Sequence, residues 1–356
     1  MKTLAESFKA KGGGAFQVKG LVGSLDAVVP AAVFSMDRQC HVFVMHEKEE
    51  AAYFFNDMQN LFGEREVLFF PTSYKRPYQF DETENANILL RADVLNKLNH
   101  RSGKGEIIVT YPEALTEKVI NKRALTENTF NAKVGDKVDV EFIAELLMTY
   151  DFERTDFVYE AGQYAVRGGI IDIYSYAGEL PYRMELFGDE IESIRTFDPN
   201  TQLSQDSVNS ISIIPNVQTR LLQEKRQSFL EFVPKETRFW IKDLQLLYDQ
   251  LDSYFTKASA SFDVLMKESG NTKIVLEPAD LFENAATIKS HIFSFPMIEF
   301  GSRFYLENAT TFQYEAEPQP PFHKNFEMMV ENLNQRQLQG YNLFIAAESE
   351  KQIERL

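Results

Sequence analysis

Three short apolar runs, His41-Val42-Phe43-Val44-Met45, Val67-Leu68-Phe69-Phe70 and Ile107-Ile108-Val109-Thr110, are separated by stretches of helical periodicity. Between the first two, Ala51, Phe54, Phe55, Met58 and Leu61/Phe62 recur on one stripe from Glu47 to Phe62, and Gly63 is a good stop. Between the second and third, Asn85 to Leu98 reads as another helix. Uniformly apolar strands alternating with helices leave few options. Such strands are covered on both faces, so the arrangement predicts a parallel, doubly wound α/β sheet.

The texture changes near residue 119. Val140 to Tyr150 reads as a helix, and Thr155 to Thr196 as short alternating strands punctuated by Gly162, Gly168-Gly169, Ala177-Gly178 and Gly188-Asp189. That predicts an antiparallel meander in an α+β middle domain. From about 209 the pattern is again mixed. Leu221 to Phe232 and Leu244 to Phe255 read as helices and Arg238 to Lys242 as a strand. Pro318-Gln319-Pro320-Pro321 reads as a linker, Asn325 to Arg336 as a helix, Asn342 to Ala347 as a strand, and Ser349 to Leu356 as the opening of a helix. A chain that stops there reads as a piece of a longer polypeptide. The expected domains are 1–118, 119–208, 209–320 (completing the first) and 321–356 (the start of another).

Net charge is −16 over 356 residues, which argues against a broad nucleic-acid or anionic-membrane surface. One cysteine, Cys40, excludes an intramolecular disulfide and reads as a core thiol in a cytoplasmic protein. No window approaches a membrane-spanning length of apolar residues. The five histidines show no metal-ligand spacing, and no catalytic constellation is evident.

Gly20-Leu21-Val22-Gly23-Ser24-Leu25-Asp26-Ala27 has the outline of a phosphate loop. A working loop reads G-x-x-x-x-G-K-[ST]. Here Leu25 replaces the second glycine, Asp26 the phosphate-binding lysine, and Ala27 the hydroxyl that holds Mg²⁺. Spacing alone favours an ordinary glycine turn before a helix. No cofactor and no catalytic activity are expected.

Two long blocks carry a family resemblance. Glu160-Ala161-Gly162-Gln163-Tyr164-Ala165-Val166-Arg167-Gly168-Gly169-Ile170-Ile171-Asp172-Ile173-Tyr174 and Pro181 to Asp198 resemble the E-x-G-x-(Y/F)-x-V-R-G and F-x-D-E-I-(D/E)-S-(I/L)-R-x-F-D blocks of two families. These are the excinuclease B subunits and the amino-terminal, UvrB-like modules of bacterial transcription-repair coupling factors (Mfd). Met184 departs from the usual Ile or Leu. The resemblance fades before Gly20 and after Pro215. It turns the loop at Gly20–Ala27 into a degenerate helicase-type one. That loop, the form of Leu180 to Arg183, and the short stretch from Pro77-Tyr78 to Asn85, with no room for a DNA-threading hairpin, favour the coupling factor. The alternative is an ATP-dependent, DNA-binding excinuclease B-type fragment; a generic scaffold is a third reading.

The resemblance implies a monomeric docking module that recruits UvrA through the middle domain. RNA polymerase and DNA would be met by other domains of a parent expected to be an ATP-dependent DNA translocase. It also implies that Arg167, Arg183 and Phe187 contact UvrA. Alternation adds to this. Tyr182, Met184 and Leu186 share the apolar face of one strand, which leaves Arg183 and Phe187 together on the other. The expectation is one exposed face of all three residues. The competing reading pairs Arg183 with an acidic cross-strand neighbour. The middle domain is acidic, with eight basic residues against seventeen acidic in 119–208, net −9. Arginines in such a setting suit a partner's carboxylates better than a phosphate backbone.

Overall fold

A computed structural model describes residues 2–11, 14–63, 67–74, 77–78, 85–100, 105–176, 178, 180–215, 226–269, 276–323, 325–345, 349 and 351. Four strands lie before the change in texture: β1 (Ala15–Lys19), β2 (His41–Val44), β3 (Val67–Phe70) and β4 (Ile107–Thr110). Ten are in the middle and on its flanks: β5 (Val119–Ile120), β6 (Phe130–Lys133), β7 (Glu153–Arg154), β8 (Gln163–Arg167), β9 (Ile170–Ile173), β10 (Tyr182–Phe187), β11 (Glu190–Phe197), β12 (Ser204–Ser207), β13 (Ser210–Ile213) and β14 (Arg226–Gln227). Three follow: β15 (Arg238–Ile241), β16 (Met297–Phe300) and β17 (Thr310–Gln313).

The first and last groups build one seven-stranded sheet in the order β17-β1-β16-β15-β2-β4-β3. Every pairing in it is parallel. The mixed α/β architecture expected from the alternation is therefore present, and strands from both sides of the middle region interleave in it. All residues of β2, β3, β4, β15 and β16 are buried, because helices cover both faces. Two of those helices, Lys48–Phe62 and Asn85–Asn99, follow the periodicity read above. Trp240 lies at the centre of the sheet, stacked on Phe43 at 5.5 Å and donating from Nε1 to His41 Nδ1 at 3.1 Å. That bond gives a buried imidazole a use as a core residue, and burial pushes its pKa down. Cys40 is buried beside it in sequence.

The middle strands form a six-stranded sheet, β12-β11-β10-β9-β8-β7, antiparallel except for the short β7–β8 pair. The helix Val140–Thr149, capped by the Asp139 carboxylate on the Glu141 N–H, turns Ile143 and Leu147 into the core. Two strand pairs flank this region: β6 with β13 and β5 with β14. The outgoing and returning chain are thus hydrogen-bonded to each other twice.

Some elements differ from expectation. Of the helix expected at Leu221–Phe232, residues 221–225 lie outside the described residues. Arg226–Gln227 is a strand, and only Phe229–Phe232 is helical, because Arg226 and Gln227 are recruited by β5. The helix from Leu244 runs on to Ser269. Residues 342–345 form no strand, and 346–347 lie outside the described residues, as does nearly all of the helix expected at 349–356. Residues 316–356 form a separate compact unit. Its helix, Phe326–Leu338, is capped by Asn325 accepting from the Met328 N–H, and Arg336 pairs with Glu317 at 2.6 Å. No helix among the described residues is long and apolar enough to cross a membrane.

Candidate protein-docking site

The glycine loop lies where the outline of its motif puts it, between β1 and the helix Leu25–Met36, at the carboxyl end of a parallel strand. Phosphates bind at such places when backbone N–H groups and a cation converge there. Here the chemistry is inverted. Lys242, just beyond β15, places its Nζ 3.0 Å from Asp26 Oδ2 and 2.6 Å from Glu50 Oε1. Glu50 also pairs with His46 Nδ1 at 3.0 Å and accepts from the His46 backbone N–H. His46 Nε2 lies 3.0 Å from the Lys242 carbonyl oxygen. Burial opposes the charge on Glu50, but hydrogen bonds from His46 and Lys242 prevail and hold its carboxyl at about 2. The hydrogen bond to Glu50 lifts the His46 imidazole above its usual value.

A triphosphate brought to Gly20–Ala27 would meet two carboxylates and a lysine already shared between them. The residues present do not fit a nucleotide. Gly20 has another use. It sits at φ +78°, and a Cβ there would fall 1.9 Å from the Tyr314 carbonyl oxygen, so glycine is what lets the chain after β17 pass. Among the described residues no cluster of His, Cys, Asp or Glu is arranged to hold a metal ion.

The second candidate lies on the six-stranded sheet. Residues alternate along β10, so Met184 is buried against the main core while Arg183, Glu185 and Phe187 face outward. The register sets Arg183 directly opposite Asp172 on β9, and Asp172 opposite Ala165 on β8. Asp172 is fully buried, yet accepts from two arginines. Arg183 donates through Nε to Oδ1 at 2.7 Å and through NH2 to Oδ2 at 2.8 Å, while Arg167 NH2 reaches Oδ2 as well. The hydrogen bonds to Asp172 hold the Arg183 guanidinium above its ordinary pKa. Arg183 also donates to the Gln202 carbonyl at 3.2 Å and lies over the Phe197 ring at 4.7 Å. Gln202 is held in the left-handed region, φ 61°, by its own bonds to Val158 and Pro199. Val158, Ala165 and Phe197 form a small second core there.

Arg167 and Arg183 are therefore brought together. One point of the sequence reading is corrected: Arg183 is not an exposed residue. Its side chain is 17% exposed, because the cross-strand register gives it a buried carboxylate and the loop at 198–203 covers it. Arg167 is more open, at 38%, with its guanidinium beside the exposed Phe157 ring. Phe187 is 80% exposed at the β10–β11 turn, where Gly188 supplies φ +66°. It lies four positions after Arg183, so their Cα atoms are roughly 13 Å apart.

Asp172 was not singled out in the sequence, although its signal is legible: a single carboxylate at the outward phase of Ile170-Ile171-Asp172-Ile173. Lys242, Glu50 and His46 carried no such signal, since only the parallel pairing of β2 with β15 brings them together.

Residues 130–218, which contain this face, match the family described as the UvrB interaction domain. Relatives that match beyond this region include proteins of two kinds. The chain is 27% identical to the transcription-repair-coupling factor of Bacillus subtilis (strain 168), over 64% of this chain and 19% of that protein. It is 22% identical to the transcription-repair-coupling factor of Staphylococcus aureus (strain USA300), over 95% of this chain and 34% of the other. The UvrABC system protein B of Methanococcus maripaludis is 24% identical, over 74% and 42% respectively. The chain thus spans well under half the length of these relatives. By name, the proteins it is similar to are transcription-repair-coupling factors and a UvrABC system protein B.

Proposed function

We propose that this chain is a protein-docking module of a transcription-repair coupling factor, and that its UvrB interaction domain recruits UvrA in nucleotide excision repair. The observation that carries the reading is Phe187. A large aromatic ring stands 80% exposed at the end of the strand that carries Arg183, inside the region that matches an interaction domain. Exposed aromatics next to arginine have the composition of binding hot spots. The domain boundaries that follow are 1–118 and 209–320 for the divided first domain, 119–208 for the UvrA-binding domain, and 321–356 for the start of another. RNA polymerase and DNA are assigned to parts of such proteins outside this chain, the chain acts as a monomer in the cytoplasm, and residues 1–356 have no ATPase activity.

The test is calorimetric titration of UvrA into the chain. A complex that Phe187→Ala weakens by about 1–4 kcal/mol supports the reading; absence of any complex with the unaltered chain sinks it. The likeness to UvrABC system B proteins keeps one alternative, an ATP-dependent DNA-binding fragment. Titration with Mg-ATP separates the two, because the docking reading requires no heat beyond dilution.

A further inference from the structure

The two arginines of the docking face are not equivalent. We propose that Arg167 is the contact residue, that Arg183 and the buried Asp172 are positioning residues behind it, and that the surface takes a carboxylate of UvrA flanked by apolar side chains. The inference rests on the docking reading given above.

Counting donors separates the roles. Arginine has five N–H groups. Arg183 commits its Nε and NH2 to Asp172 and its NH1 to the Gln202 carbonyl, with its planar face on Phe197. That leaves it two N–H groups, with a side chain only 17% exposed from which to offer them. Arg167 commits NH1 to the Asp156 carbonyl at 2.7 Å and NH2 to Asp172. Its remaining N–H groups are on the more open of the two guanidiniums.

Counting charge gives Arg183 its task. Asp172 is the one carboxylate under both guanidiniums, so the cluster carries a net charge of +1. The adjacent outward pair, Glu185 with Arg195, is internally neutral. Were Arg183 absent, Asp172 would cancel Arg167 completely and draw its donors inward. Arg183 thus satisfies Asp172 bidentately, which leaves Arg167 one bond to that carboxylate and a free positive charge. Phe157, against Arg167, and Phe187 are both exposed and supply the apolar flank. A carboxylate set between apolar groups is the complement of that arrangement.

The test is titration of UvrA into the full chain and four variants, each checked by its thermal melt. Arg167→Lys keeps the charge but loses the fork, and should weaken binding at least tenfold. Arg183→Lys keeps the charge that offsets Asp172, and should stay within threefold of the unaltered chain. Arg183→Gln should lose at least tenfold. Asp172→Asn combined with Arg183→Gln restores the net +1 around Arg167 and should recover binding to within threefold. Equal losses in the two lysine variants, or no recovery in the double variant, would show that Arg183 itself grips the partner and overturn the assignment. If the double variant does not fold, the lysine pair decides alone. No complex with the unaltered chain would instead remove the docking reading, and the division of roles with it.

Discussion

Lys242→Ala tests whether the inverted phosphate site is a structural clamp. The ammonium is shared by Asp26 and Glu50 at 3.0 and 2.6 Å, with the three side chains only 19–28% exposed. Removing it leaves two carboxylates facing one another, one with its Oδ1 already buried and unpartnered. Breaking a fully buried ion pair by deleting one partner costs about 3–5 kcal/mol, and an exposed pair contributes ~0–1 kcal/mol. This half-buried triad lies between, and His46 still serves Glu50, so a loss of about 2 kcal/mol is expected. Replacing the whole triad, as Asp26→Asn, Glu50→Gln and Lys242→Met together, should cost under ~1 kcal/mol, since no charge is then stranded. The assay is urea unfolding followed by the fluorescence of Trp240, the chain's one tryptophan, fully buried in the strand that leads to Lys242. A single variant that loses less than ~0.5 kcal/mol, or a triple variant that loses as much as the single, refutes the clamp.

Other outcomes follow from the same structure. Phe187→Ala should leave unfolding unchanged within ~0.5 kcal/mol while weakening the UvrA complex, because the ring touches little of its own domain; a large fall in stability contradicts this. Arg183→Ala should behave oppositely to an exposed residue and destabilise the middle domain by about 2–4 kcal/mol, since it strips a buried carboxylate of its bidentate partner; a melt identical to the unaltered chain would count against it. The His46–Glu50 pair predicts a pH optimum. Glu50 is depressed from 4.5 to about 2, so its contribution is present above 4.5 and lost as pH falls toward 2. His46 is raised above 6.5, so its contribution is present below 6.5 and lost as pH rises through the folded value. Stability from the pair should therefore peak near pH 5–6, and Glu50→Gln should flatten both limbs in urea titrations. Gly20→Ala should cost several kcal/mol by forcing Tyr314 away, whatever ligands are added; a neutral result would mean that β17 is free to shift.

Strands β2, β3, β4 and β15 and the helices between the first three were legible because burial on both faces leaves an unbroken apolar run, and because Ala51, Phe54 and Met58 keep helical spacing. Strand β17 was not: Thr310-Thr311-Phe312-Gln313 has no such run, and its residues are half-buried or exposed. The docking face was half legible. Alternation sets Arg183 and Phe187 on one side of β10, but no one-strand argument reports the strand opposite. The register that sets Asp172 against Arg183 is a property of two strands, and the loop that covers Arg183 comes from a third place in the chain. The same limit hid Lys242, which reaches Asp26 only after the chain has left the first domain and come back.

That return has a consequence of its own. The strands that carry the chain into and out of the middle region are paired, Phe130 with Ile213 and Lys133 with Ser210, so the two ends of the segment stand one strand spacing, about 5 Å, apart. A segment whose ends meet can be cut out and closed with a turn, or grafted into a surface loop of an unrelated protein, without stretching either host or guest. The middle segment is portable in a way that the seven-stranded sheet, stitched from distant stretches of chain, is not. A lineage could lose, exchange or acquire the docking segment in a single event and leave the sheet's strand order untouched.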